Sequence, residues 1–282
     1  MSWMKSHAML PAPLHMEGSL YRIYFGGRND KNQSHIGYAV IDMARPEKIL
    51  ELSKNPVLAP GRLGTFDDNG VLPSCLIRHG NEIYMYYIGF KPGGTTRMDL
   101  FGGLAISNDG GESFVRWSEA PIIERSRANP FINTAPWIVE DGKGGWLMYY
   151  VAGVEWIHPD LPRYNIQIAT SIDGKNWNRN GRVAIDFADD ENALARPYVT
   201  KNENGFHMWF SSKGEYYLPR QATSKDGLNW TRMNGDPVLI PSEGPDEEMI
   251  CYPMILKHAG KEIMYYNGNA YGKDGLCLAV KE

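Results

Sequence analysis

Apolar and aromatic residues in this chain come in short runs, with almost none of the three-to-four-residue spacing of an amphipathic helix. One run recurs five times: "SLYRIYFGG", "EIYMYYIGF", "GWLMYYVAG", "GFHMWFSSKG" and "EIMYYNGN". Tyr, Trp and branched residues of this kind favour strands. Each run follows a turn signal: Glu17-Gly18, His79-Gly80, Asp141-Gly142, Asn204-Gly205 or Ala259-Gly260. A tight turn before a strand predicts a hairpin, with another strand upstream. That upstream strand carries a proline in every copy: "LPAPL", "VLPSC", "TAPWI", "ARPYV" and "CYPMI". Aligned on Pro13, Pro73, Pro136, Pro197 and Pro253, the copies repeat at intervals of 60, 63, 61 and 56 residues.

A third strand follows in each unit: "HIGYAVID", "FGGLAISND", "IQIATSID", "RQATSKD" and "GLCLAV". Three of these run into one turn pattern, at Ser107–Phe114, Ser171–Trp177 and Ser224–Trp230. Each has Asp-Gly at its centre, where Asp bonds local backbone and Gly takes positive φ. The aromatic at its end begins a fourth strand. Four antiparallel strands per unit and five units predict an all-β, five-bladed β-propeller spanning residues 1–282 as one domain. The last unit ends after three strands. The aromatic-bearing "SWMK" at the N-terminus is expected to supply the fourth and close the ring. A two-sheet sandwich accounts less well for the regular spacing.

The 282 residues carry 29 Lys and Arg against 33 Asp and Glu, a net charge of −4 with no basic block. That excludes the electrostatic footprint of a nucleic-acid binder. No apolar run reaches the length of a membrane span, and the N-terminus lacks the pattern of a signal peptide. A cytoplasmic location is therefore expected. Cys75, Cys251 and Cys277 lack zinc-type spacing and are too few for a disulfide framework. No phosphate-cradling loop, HExxH or Gly-x-Ser-x-Gly stands in the chain. No cofactor is expected, and the oligomeric state is not legible.

Several stretches resemble a known group: "RIYFGGRNDKNQSHIGYAVID", "GTFDDNGVLPS", "GLAISNDGGESF", "ARPYVTKNENGFHMWFS" and "DEEMICYPMI" with "YYNGNAYGKDGLCLAV". The chain resembles the five-bladed propellers of the invertase, levansucrase and arabinanase superfamily. It is most similar to a glycosidase-like branch found in bacterial polysaccharide gene clusters. The resemblance covers nearly the whole chain and implies a carbohydrate substrate. In the well-studied relatives an acid adjoins the inner-strand proline. Here the residues before the prolines are Ala12, Leu72, Ala135, Arg196 and Tyr252, none of them acidic.

The acids stand a little earlier. Five residues before the prolines lie Ala8, Asp68, Phe131, Asn192 and Glu248; six before lie His7, Asp67, Pro130, Glu191 and Glu247. In a propeller the first strand of each blade lines the channel, so these acids are expected at one mouth. Paired carboxylates suit glycoside hydrolysis or glycosyl transfer. Asp68 and Glu248 are the expected catalytic pair, with Glu191 assisting and Asp67 and Glu247 on the substrate. Arg196 and Arg28 offer forks for an anionic sugar or phosphate. Trp156 and Tyr252 offer rings, and Asn267 and Asn269 offer amides for sugar hydroxyls. Two other readings fit the same residues: a non-catalytic binder of glycans or nucleotide-sugars, and a glycoside phosphorylase using Arg196 and Arg28. A metal on His7, Asp68 and Glu248 is a further, weaker reading; the primary expectation is no metal.

Overall fold

A computed structural model describes residues 1–235 and 237–281. Its strands follow one another as antiparallel meanders. The first comprises β1 (Ser6–His15), β2 (Leu20–Arg28), β3 (Ser34–Asp42) and β4 (Ile49–Leu52). The second comprises β5 (Gly70–His79), β6 (Glu82–Pro92), β7 (Met98–Ser107) and β8 (Val115–Arg116). The third comprises β9 (Asn133–Glu140), β10 (Trp146–His158), β11 (Leu161–Ser171) and β12 (Asn178–Ile185). The fourth comprises β13 (Ala193–Asn202), β14 (Gly205–Lys213), β15 (Tyr217–Ser224) and β16 (Thr231–Arg232). The last has three strands, β17 (Cys251–His258), β18 (Lys261–Asn267) and β19 (Cys277–Lys281). Single parallel contacts link the first four meanders, at Ser34 with Gly70, Phe101 with Asn133 and Tyr164 with Ala193.

The prolines of the first strands are explained by bulges. In four meanders two residues of the first strand oppose one of the second, as between Ala195 and Tyr198, Cys251 and Met254, Met9 and Ala12, and Thr134 and Trp137. The extra residue is left out of the ladder, so a proline there sacrifices no sheet hydrogen bond. The residue before each such proline takes a left-handed conformation: Leu10, Ala135, Arg196 and Tyr252 have φ of 53°, 49°, 50° and 58°.

This geometry corrects the alignment of two units. Ala12, Cys75, Trp137, Tyr198 and Met254 pair with equivalent second-strand aromatics. The proline in register in the first unit is therefore Pro11, not Pro13, and Ser74 holds that place in the second. The sequence misleads here because "LPAPL" offers two prolines and "VLPSC" has its proline one residue early.

The conspicuous turns form as expected. In each, the Ser hydroxyl bonds the Asp carboxylate and accepts a backbone N–H, as at Ser171 with Asp173 and Gly174. The turns also join neighbours. Tyr24 donates to Gly111 O, Tyr86 to Gly174 O and Tyr149 to Gly227 O, each from one meander to the next. Tyr265 of the last meander donates likewise to Pro46 O of the first, at 2.6 Å. Asn267 binds the two ends together: its Oδ1 accepts Leu10 N–H and its Nδ2 donates to Ala8 O.

Ser2 to Lys5 do not form the strand expected on β19. Trp3 packs instead beside Phe25, and its indole donates to Lys54 O. Only glycine fits beneath it: a Cβ at Gly37 would stand 2.1 Å from the Trp3 ring. The outer edge of β19 has no partner strand among the described residues. A cavity of about 630 Å³ lies beside it, between Leu276 and Leu278 on one side and Phe25, Ile41 and Leu52 on the other. All three cysteines are free thiols. No helix among the described residues is long and apolar enough to cross a membrane.

Candidate functional site

The residues ahead of the first strands fall into two sets. The corrected register places Asp67, Asn129 and Asp246 together, seven residues before Ser74, Pro136 and Pro253. Each accepts a hydrogen bond from the second residue of its own meander's Tyr-Tyr pair: Tyr87, Tyr150 and Tyr266 at 3.0, 3.1 and 2.6 Å. Asp67 is wholly buried and also receives Arg116 Nε at 2.8 Å and the Thr65 hydroxyl. It braces the meander from inside, with its carboxylate bonded to Arg116, Tyr87 and Thr65.

Glu191 is similarly occupied. Both its oxygens receive the Arg232 guanidinium, at 2.5 and 2.7 Å, and Oε2 also accepts Ala188 N–H. Burial opposes its ionisation, but the Arg232 hydrogen bonds and charge prevail and hold the carboxyl below its usual range. A proton donor needs the reverse shift. Arg116 and Arg232 occupy the same place in their fourth strands, opposite Ala105 and Ala222. The two ion pairs are thus one recurring brace.

Asp68 and Glu248 have no ion-pair partner among the described residues. Asp68 is half-buried, and its Oδ2 accepts only Gly64 N–H, at 2.8 Å. Glu248 is exposed, and its backbone N–H donates to Asn269 Oδ1 at 2.8 Å. Asn269 also donates to Gly244 O, so its amide fixes the approach to β17. Asn267 is fully buried in the clamp between the chain ends. Glu247 is exposed. Trp156 lies half-buried far out on the β10–β11 hairpin, opposite Pro162.

The structure assembles a cluster that sequence reasoning touched only at Tyr252. Tyr252 stacks on Tyr271 with ring centroids 6.2 Å apart and planes at 20°. Tyr217 packs on both, at 6.1 and 6.3 Å, and its hydroxyl bonds that of Tyr164. Burial raises the pKa of all four phenols, so they remain hydroxyl donors at neutral pH. Tyr271 has φ of 61° and Tyr252 of 58°, both left-handed. In Tyr252 it is the bulge conformation shared with Leu10, Ala135 and Arg196; in Tyr271, which lies in no bulge, it is costly for a bulky residue, and such strain gathers at functional sites. Arg97 acts electrostatically on Tyr164 and Tyr271, and Arg28 on Tyr252.

One signal for the missed residues was in the sequence. Tyr164 and Tyr217 both stand five residues before the alanine of "ATS" in their third strands. Tyr271 had no such repeat, because its turn occurs only in the last unit.

At the first meander, His7 has φ of 65°, and burial with the Arg28 and Lys273 charges pushes its pKa down to about 4. Its Nδ1 pairs with the Ser6 hydroxyl at 2.8 Å. Among the described residues no three or more His, Cys, Asp or Glu side chains gather as a metal site needs, so His7, Asp68 and Glu248 do not form one.

The architecture is that of the propeller glycosidases. The solved structure of BT0996 in its RGII complex superposes with a TM-score of 0.79 at 21% identity, covering 99% of this chain and 89% of that one. A thermostable family-43 glycoside hydrolase gives 0.71 at 18%, covering 99% and 90%. The GH32 beta-fructofuranosidase BmSUC1 of Bombyx mori gives 0.66 at 14%, covering 98% and 61%. Likeness at these identities establishes the fold. No family model matches the chain. It is 37% identical over 286 residues to the uncharacterized protein Rv1502 of Mycobacterium tuberculosis (strain ATCC 25618 / H37Rv), covering 100% of this chain and 95% of that protein. The uncharacterized protein MT1551 of strain CDC 1551 / Oshkosh matches equally, and the chain belongs to the family of these mycobacterial proteins.

Proposed function

We propose that residues 1–282 form one five-bladed propeller that binds a glycan over the Tyr164, Tyr217, Tyr252 and Tyr271 cluster. On this reading it hydrolyses or transfers a glycosyl unit with Asp68 and Glu248. The ring is supported by the repeated tyrosine-to-neighbour bond, which runs through the first four meanders and again from the last to the first. Carbohydrate as the substrate is supported above all by the strained, stacked pair Tyr252 and Tyr271, whose rings and hydroxyls suit a sugar's apolar face and polar rim. Asp68 and Glu248, like Glu247, are entrance acids whose carboxylates are not engaged by a cation among the described residues. One would protonate the leaving oxygen; the other would attack the sugar or activate water.

A second reading, a glycan binder without turnover, draws on the commitment of Asp67 and Glu191 to internal ion pairs. The experiment is a glycoside panel with wild type, Asp68→Asn and Glu248→Gln, each with and without inorganic phosphate. Each variant should keep its melting temperature and glycan affinity and lose turnover at least about a hundredfold. Wild-type turnover in either variant refutes the pair. Glycan affinity with no turnover in wild type supports the binder, and dependence on phosphate supports a phosphorylase.

A further inference from the structure

Arg196 is 1% exposed, yet its Nε and Nη1 have no hydrogen-bond partner. Its one bond runs from Nη2 to Pro11 O, at 2.6 Å. That bond spans from the fourth meander to the first strand of the first. The guanidinium carbon also lies 5.8 Å from the Trp137 ring of the third meander. The ionisable groups acting on it are Cys75 of the second meander, Tyr198 of its own and Tyr252 of the last. The side chain therefore sits where the first strands of all five meanders converge.

None of those neighbours balances its charge. Burial raises the Cys75 thiol to about 12 and lifts both phenols, so all three are neutral at pH 7. Burial lowers Arg196 itself only to about 10, which leaves it a cation. Arg196 makes no ion pair among the described residues. A buried charge without a counter-charge is among the least favourable arrangements in a protein. The unmet groups of Arg196 are donors only, which suits an anion and repels a metal. Another buried hydroxyl without a partner, Ser74 Oγ, belongs to the residue next to Cys75. The first strands bury small side chains, Ala12, Ala135 and Ala195.

We propose that the centre of the molecule holds one small monovalent anion on an open edge of the Arg196 guanidinium, against one of its two unmet nitrogens, Nε or Nη1. This site is separate from the tyrosine cluster and does not depend on a glycan function. The anion completes the core by neutralising the one cation that the inner strands share.

Bromide is the probe. Crystals of the full chain exchanged into sodium bromide should show one buried anomalous peak within hydrogen-bond distance of Nε or Nη1. In solution, wild type should melt several degrees higher in chloride or bromide than in gluconate at equal ionic strength, with a saturable dependence. Arg196→Met should lose that dependence. Bromide only on surface lysines, an adventitious ion only, overturns the proposal, as does a map in which water alone meets the guanidinium. A chloride effect that persists in Arg196→Met also overturns it. If that variant does not fold, the wild-type bromide map and anion series decide the matter.

Discussion

Neighbouring carboxylates at the strand entrances have different fates because their partners differ. Asp67 is wholly buried against Arg116, whereas Asp68, next in sequence, keeps one backbone donor and a partly open face. Asp67→Ala should leave Arg116 and the Tyr87 hydroxyl without their acceptor, at a cost of about 3–5 kcal/mol in a denaturant titration. Asp68→Ala should cost under about 1 kcal/mol, and equal losses would contradict this division. Glu191 makes a related prediction in pH. Its folded pKa is depressed, so it stabilises the fold above the unfolded value, near 4.5. That contribution is lost as pH falls through the lower folded pKa. The gap in melting temperature between wild type and Glu191→Gln should be steady near neutrality and shrink below about pH 4.5. A gap that widens in acid would show that Arg232 does not govern this carboxyl.

Among the elements, the turns were the most legible part of the sequence. Ser-x-Asp-Gly carries its own bonding instructions, and Asp109, Asp173 and Asp226 all gather local N–H groups. Strand order was equally readable, because aromatic runs and glycine turns are local signals. Register inside the first strands was not. A bulge inserts a residue without any compositional mark, so Pro13 was mistaken for Pro11 and Asp67 was aligned with Glu191 in place of Asn129. The bulge thus hides from the sequence that Asp67 shares its place with Asn129 and Asp246. The Tyr271 turn was unreadable for another reason: a left-handed Ala270-Tyr271 pair has no sequence signature. For the turns, the pH sign is again definite. Burial raises the Asp109 pKa, but bonds from Ser113, Ser107 and two backbone N–H groups outweigh it and bring it to about 2. Asp109→Asn should therefore lose stability above about pH 4, with the difference from wild type vanishing between about pH 4 and pH 2. Thermal melts across that range test it.

At the scale of the whole molecule, the last meander differs from the rest: among the described residues it has three strands where the others have four, so its outer edge relies less on sheet partners and more on the junction with the first meander. That junction is polar and local. Asn267 takes Leu10 N–H and gives to Ala8 O, His7 N–H reaches Lys273 O at 3.0 Å, and Tyr265 reaches Pro46 O. Asn267→Leu keeps roughly the same volume and removes both amide bonds, leaving a backbone donor and a backbone acceptor unmet. The cost should be about 2–5 kcal/mol, because each buried unsatisfied group forfeits its full desolvation energy. Tyr265→Phe removes one bond and should cost about 0.5–1.5 kcal/mol. The location of the loss is the sharper test. Hydrogen exchange in Asn267→Leu should quicken in β17, β18 and β1 together while β9 to β11 keep their wild-type protection. Faster exchange in β17 and β18 alone, with β1 unaffected, would mean that the two ends touch without supporting each other, and that their junction is held by apolar packing rather than by this clamp.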